Sequence, residues 1–212
     1  MSKHLVWDWN GTLLDDLTLV VAATNACLAA VGGPRVSAEE HRRDFRRPIV
    51  DYYSLVLGRL VGPDEFKRLD DIFHDTYRAG MASCALTADA HAAMADWAGT
   101  QSLLSMFFHD ELVREVARHG LTGRLSRVDG LPGSVGGHRK AAYLAAHLTA
   151  LDRPGSSVVL IGDSVDDGEA AASVGAGCVL YAGGFTDVAL LKETGRPVAS
   201  TLVEAVQLAA AL

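Results

Sequence analysis

Residues 156 to 182 read SSVVLIGDSVDDGEAAASVGAGCVLYA, and the order of patterns within them decides the fold. The apolar, β-branched run up to Gly162 reads as a strand, DDGEAAASVG as a helix stopped by Gly175, and GCVLYA as a second strand. Two strands joined through a helix lie parallel, because an antiparallel pair needs only a tight turn. Downstream, DVALLKETG, PVAS and TLVEAVQLAAAL continue as helix, short strand and helix. Upstream, SLLSMF, DELVREVARHG, GRLSRV and RKAAYLAAHLTAL read as strand, helix, weak strand and helix. Such alternation predicts an α/β fold, a Rossmann-like parallel sheet with helices on both faces, and the opening HLVW belongs to that sheet.

Residues 17 to about 98 have a different rhythm. DLTLVVAATNACLAAV carries apolar residues at helical spacing and stops at Gly32-Gly33-Pro34. Ser37 and Glu40 form a capping box, IVDYYSLVLGRL and DEFKRLDDIFHDTYRAG follow, and Thr87 is placed to cap ADAHAAMADW. No convincing strand lies there, so the stretch reads as an inserted all-helical unit. GLPGSVGG, residues 130 to 137, reads as a mobile loop.

The 212 residues, 49% of them hydrophobic, suit one domain of ordinary size or one with a small insert. With 19 basic against 26 acidic residues and no long Lys/Arg run, nucleic acid is an unsuitable partner. Cys27, Cys84 and Cys178 are widely spaced, which argues against a disulfide framework and a zinc site and for the cytoplasm. Acids appear too early for a signal peptide, and no segment approaches the ~20 apolar residues of a membrane span.

VWDWNGTLLDD, residues 6 to 16, admits two readings. Asn-Gly between apolar stretches is the strongest short-range hairpin signal. In open parallel sheets, however, ligands bind at the carboxyl ends of strands, where Asp8, Ser105 and Asp163 all fall. With the first strand central and SLL and VVLIG as its neighbours, the three groups meet. Asp167 then turns back to the same place from the start of a helix, and Lys140 brings a positive charge. Three carboxylates repel one another unless a cation sits among them, and Mg2+ takes one or two carboxylates plus substrate phosphate. Such a metal masks phosphoryl charge, so that Asp8 can attack phosphorus while Lys140 and Ser105 hold the equatorial oxygens.

With DWNGTLLDD, LLS ending at Ser105, Lys140 in HRKAAYL and IGDSVDDGEAAASVGAG, the chain resembles the haloacid dehalogenase-like hydrolases, in the helical-cap, phosphoglycolate phosphatase-like branch. The resemblance implies a core of residues 1–16 and 99–212 with a helical cap at 17–98. It also implies an aspartyl-phosphate on Asp8, and Mg2+ held by Asp8, Asp163 and the main-chain carbonyl of Asn10, with Asp167 behind the metal. Gly11, Thr12, Ser105 and Lys140 would bind substrate, a small phosphate ester, in a monomer or homodimer.

Asn10 departs from that pattern, because phosphatases of this kind carry there an Asp that protonates the leaving oxygen. An amide cannot exchange protons at neutral pH, and a positioned acid/base contributes ~10²–10⁴ in rate. The expectation is therefore a slow Mg2+-dependent phosphatase. The alternatives are a phosphotransferase or phosphonate hydrolase, and a phosphate-binding pseudoenzyme. His109 is a candidate substitute base, whereas Asp15 is better suited to hold the loop. Arg43, Arg46 and Arg47 share a helix face that either meets a second anionic group or, beside Glu39, Glu40 and Asp44, is simply solvated. Of Tyr52 and Tyr53 one is expected in the core and one in the cleft. Leu19, Val20 and Cys27 read as packing, and Trp9 either walls the site or packs beneath the cap.

Overall fold

The computed structural model describes residues 3–133 and 139–212. Its first half comprises β1 (His4–Trp7), β2 (Leu14–Asp15), α1 (Leu17–Ala30), α2 (Ala38–Asp44), α3 (Ile49–Leu57), α4 (Pro63–Met81), β3 (Ala85–Leu86) and α5 (Ala90–Asp96). The second half alternates β4 (Gln101–Phe108), α6 (His109–Arg118), β5 (Val128–Leu131), α7 (Ala141–Ala150), β6 (Val158–Gly162), α8 (Val165–Ser173), β7 (Gly177–Tyr181), α9 (Val188–Glu193), β8 (Val198–Ala199) and α10 (Leu202–Ala211).

β1, β4, β5, β6, β7 and β8 form one parallel sheet in the order β5-β4-β1-β6-β7-β8. The first strand is central, as expected, with the reversal of strand order beside it. Side chains alternate between the two faces, so Leu5 and Trp7 enter one apolar core and Val6 the other. Burial on both faces explains why VVLIG is continuously apolar rather than alternating. A third cluster, including Cys27, Leu28, Tyr52, Tyr53 and Leu69, joins α1, α3 and α4.

Several local expectations change. The weak strand expected over GRLSRV lies later, at Val128–Leu131, because Thr122–Arg124 form a 3-10 turn and Ser126 N donates to Gln101 O at 2.8 Å. The stretch read as wholly helical contains β3, paired antiparallel with β2. Thr87 does not cap α5: its Oγ1 donates to Thr12 O at 2.6 Å and its N–H to Leu13 O at 2.9 Å, tying the loop after β1. α5 itself packs on α10, and Val203 N donates to Asp89 Oδ2 at 2.9 Å. The Ser37–Glu40 capping box is present. Of the run read as a mobile loop, Gly130 and Leu131 end β5, and residues 134–137 lie outside the described residues. The three cysteines are free and buried, and no described helix is long and apolar enough to cross a membrane.

His4, buried in β1, has both ring nitrogens in 2.7 Å hydrogen bonds, Nδ1 with Thr100 Oγ1 and Nε2 with Ser102 Oγ, one nitrogen donating and the other accepting. Burial, helped by the charge of Arg153, lowers its pKa to about 4. Protonation therefore favours the unfolded chain, and the stability His4 contributes is whole above pH 6.5 and lost as pH falls towards 4. Buried carboxylates with raised pKa respond in the opposite sense, so the test is a difference against His4→Gln. In urea melts, the stability gap between wild type and variant should shrink by roughly 2–3 kcal/mol from pH 7 to pH 4. A gap that does not change with pH would contradict this assignment.

Candidate active site

β1 delivers Asp8 to the carboxyl edge of the sheet, where its N–H donates to Ile161 O at 2.9 Å. The chain then turns tightly, with Thr12 N and Leu14 N both donating to Trp9 O, at 3.2 and 2.9 Å. Asn10-Gly11 is thus no hairpin turn, since β2 pairs with β3 and not with β1. Gly11 has φ +71°, and a Cβ there would collide with the Asp163 carboxylate.

Asp163 follows β6. Its Oδ2 accepts from Phe185 N at 2.6 Å and its Oδ1 from Thr12 Oγ1 at 3.1 Å. Ser164 caps α8 in a capping box with Asp167, whose Oδ2 accepts from Ser164 N at 3.0 Å and Ser164 Oγ at 2.6 Å. That cap leaves Asp167 Oδ1 for the Lys140 ammonium. Lys140 begins α7, is 2% exposed, and places Nζ 2.8 Å from Asp8 Oδ1. Trp9 N also donates to that oxygen, at 2.8 Å, while Oδ2 accepts no hydrogen bond among the described residues.

Carboxylate oxygens of Asp8, Asp163 and Asp167 lie within 4.8 Å of one another. Among the described residues, the buried ammonium of Lys140 faces these three buried acids. Burial raises the Asp8 pKa to about 6 against the pull of Lys140, and burial plus the neighbouring Asp8 and Asp167 charges pushes Asp163 well up. For Asp167, burial is outweighed by Lys140 and by the Ser164 hydrogen bonds, so its pKa falls. The Lys140 pKa rises, its burial outweighed by Asp167 and Asp8. Asp163 is therefore the acid least satisfied by the protein and best served by an added cation.

Asn10 stands in a closed hydrogen-bond network. Its Nδ2 donates to Asp16 Oδ2 and to Tyr77 OH, both at 2.8 Å, and Tyr77 OH donates to Asp16 Oδ2 at 2.6 Å. Ser105 Oγ donates to Asn10 Oδ1 at 3.2 Å, and Gly11 N donates to Asp16 Oδ1 at 2.8 Å. An amide suits a place beside a buried acid because it presents two N–H donors to it. Asn10→Asp would set a carboxylate oxygen against Asp16 and is expected to lower stability by about 2 kcal/mol at pH 8. Asn10→Asp combined with Asp16→Asn should recover most of that loss. Thermal melts of the four chains give the coupling, and additive losses would show that the two side chains do not interact.

The structure thus brings together Asp8, Asn10, Ser105, Lys140 and Asp163 around a cavity of about 20 Å³ that Phe45 and Arg47 also line, with Asp167 behind Lys140 and outside that lining. Gly11 and Thr12 shape Asp163 from behind and do not line that cavity. His109 turns away, accepting from Gly130 N at 3.2 Å in a separate cleft. Asp16, not Asp15, holds the loop, since Asp15 is exposed in β2. Trp9 is fully buried in the core. The expected arginine face does not form: α2 ends at Asp44, Arg43 pairs with Asp44, and Arg47 alone reaches the cleft, 4.0 Å from Asp166. Tyr52 and Tyr53 are both buried, and both line a neighbouring cavity. Tyr77 and Phe185, distant in sequence and free of motif, went unsignalled.

A central strand ending in an acid, a cationic lysine, and a second acid pair at a helix start define an acid-cluster α/β site at a sheet switch point. Residues 136–205 match the family model described as HAD-hydrolase-like. Over its full length the fold is similar to a predicted phosphatase from Clostridium acetobutylicum, with TM-score 0.86, 15% identity and 100% of both chains covered. It is similar too to a haloacid dehalogenase-like family hydrolase from Streptococcus pneumoniae, with TM-score 0.83, 16% identity and 97% of each chain covered. A predicted phosphoglycolate phosphatase from Haemophilus somnus gives TM-score 0.74 and 16% identity over 98% of this chain and 97% of that one. No curated protein matches the sequence. The resemblance to haloacid dehalogenase-like hydrolases therefore holds, in sequence over the C-terminal part and in fold throughout.

Proposed function

We propose that this chain is a Mg2+-dependent phosphatase for a small phosphate monoester, working through an aspartyl-phosphate on Asp8. The observation that carries the reading is Asp8 itself: one oxygen is fixed by Trp9 N and Lys140, while the other accepts no hydrogen bond among the described residues. Asp8 Oδ2 attacks phosphorus, the ester oxygen leaves, and water later cleaves the acyl phosphate to regenerate the carboxylate. Lys140 would hold a phosphoryl oxygen, and Ser105 would join it by turning its one hydroxyl hydrogen away from Asn10 Oδ1. Oxygen-rich, buried and short of positive charge, the donor set fits Mg2+, which Asp8, Asp163 and the Asn10 carbonyl would hold. When bound, the ion offsets phosphoryl charge during attack. Asp167, with both oxygens engaged, serves by orienting Lys140.

Asn10 has spent its N–H groups on Asp16 and Tyr77 and has no acidic proton for the leaving oxygen, which takes one from solvent. Turnover is correspondingly slow, and esters with good leaving groups are favoured. In this reading 1–16 and 99–212 form the core and the inserted helices a cap, although the packing of α5 on α10 moves the proposed end of the cap back to β3. The buried thiols suit the cytoplasm, and a monomer or homodimer is proposed. The test is phosphate release from an ester panel with Mg2+ and with EDTA. Chelation should cut the rate at least ~100-fold, and quenching during turnover should give an acyl-phosphate on the peptide holding Asp8. Release indifferent to EDTA would refute the proposal.

A further inference from the structure

The loop between β7 and α9, residues 182–187, joins the acid cluster to the inserted helices. On its core side Phe185 N donates to Asp163 Oδ2 at 2.6 Å, and the chain lies so close to that carboxylate that a Cβ at Gly184 would collide with it. On its other side a single residue of α2 holds it at three points. Arg42 Nε donates to Gly184 O at 2.8 Å and Nη2 to Gly183 O at 3.0 Å, while Asp187 N donates to Arg42 O at 3.0 Å. Arg42 O is available because α2 ends at Asp44, which leaves the carbonyls of its last turn without helical partners. The Phe185 ring adds to the contact, set edge-on to Phe45 at 5.7 Å between centroids and to His41 at 6.1 Å.

Gly184 O and Phe185 N belong to one planar peptide group. Arg42 grips one end of that plane and Asp163 the other, so the guanidinium fixes the direction in which the N–H meets the carboxylate. A carboxylate that ligates a metal depends on such outer hydrogen bonds, whose loss typically costs about 10–100-fold in metal affinity. The cavity beside Asp8 and Asp163 has room for roughly one water. A phosphate ester therefore enters only when Phe45 and Arg47, which line it, move aside, and α2 directly precedes both in the chain. Movement of α2 away from the core would take Arg42 off the loop.

We propose that Arg42 is a positioning residue for the metal: by holding the Gly184–Phe185 peptide it orients Asp163, so that Mg2+ binding and the docking of α2 on this loop favour each other. The inference rests on the Mg2+ site of the reading above and adds what controls it. The coupling is reciprocal, since the factor by which docking strengthens Mg2+ binding is the factor by which Mg2+ strengthens docking. Charge alone predicts the opposite sign for loss of Arg42, because removing a cation strengthens the field that attracts Mg2+.

Titration calorimetry of the substrate-free chain with Mg2+, and hydrogen exchange at the Asp187 amide, test this without turnover. Arg42→Met should bind Mg2+ about tenfold more weakly than wild type, and Arg42→Lys, able to reach one of the two carbonyls, about threefold more weakly. Arg43→Met, which removes the same charge from a side chain paired with Asp44, should not weaken binding. In wild type Mg2+ should slow exchange at Asp187 about tenfold more than at the α10 amides, an excess that should fall to about twofold or less in Arg42→Met. Equal or tighter Mg2+ binding by an Arg42→Met chain that melts within a few degrees of wild type overturns the inference. So does an Asp187 amide indifferent to Mg2+ in wild type, which needs no variant to fold. If either result is found while wild type binds Mg2+ and releases phosphate from acetyl phosphate, only the role of Arg42 fails. If wild type takes up no Mg2+, the metal centre of the phosphatase reading fails and this inference with it.

Discussion

Replacing Asp8 by Asn is expected to lower phosphate release by about 10⁴-fold or more, the scale on which nucleophile removal acts, while raising the melting temperature of the metal-free chain. Asparagine can keep the contacts made at Oδ1, since Trp9 N and Lys140 Nζ both meet that atom. What goes is the second oxygen, the one proposed to attack phosphorus. Charge changes in the opposite sense. Asp8 and Asp167 together raise the Asp163 pKa, so removing one buried negative charge relieves the cluster. The gain should be about 1 kcal/mol, or 2–4 °C in a chain of this size. Added Mg2+ should stabilise the variant less than the wild type, because one of the proposed ligands has become neutral. Release that survives the substitution, or a melting temperature that falls by several degrees, would show that Asp8 is not the attacking group in a repelling cluster.

Where local signals agreed with tertiary packing, the fold was legible. In residues 156–182 the apolar run and the glycine stop pointed to strand, helix and strand, and the structure realises each of them. The arginine face was misread because helical spacing was carried past Asp44, although Pro48 biases the residue before it away from helix. The backbone leaves the helix at Phe45, with φ −58° and ψ 130°, and Arg47 is thereby sent alone into the cleft. Choosing between Asp15 and Asp16 required knowing that Leu14–Asp15 pair with Ala85–Leu86, a contact without local signature. The alternation of that short strand turns Asp15 outward and leaves Asp16 to receive Gly11, Asn10 and Tyr77. Asp8, Lys140, Asp163 and Asp167 were legible because each sits at a strand end or helix start, so topology alone gathers them.

Lys140→Met tests the same cluster from the side of its cation. Methionine matches lysine closely in length, but it leaves Asp8 and Asp167 facing each other, with Asp163 beside them, in a site that is almost fully buried. Breaking a buried ion pair from one side costs about 3–5 kcal/mol, since the remaining charge is uncompensated. At pH 8 without divalent cation the melting temperature should therefore fall by at least about 6 °C. The deficit has a predictable pH dependence. Without the ammonium, the folded-state carboxyl pKa values rise above their unfolded values, so the native variant binds more protons than the unfolded chain and gains stability as pH falls. The gap from wild type should accordingly narrow between pH 8 and pH 5. Mg2+ should narrow it as well, by supplying positive charge to the same oxygens. Phosphate release should nevertheless stay low under every condition, because neither a proton nor the metal replaces an ammonium held 2.8 Å from Asp8 Oδ1 by Asp167. A variant that melts within a degree of wild type at pH 8 would mean that the three carboxylates are not charged together, and the case for a cation between Asp8 and Asp163 would go with it.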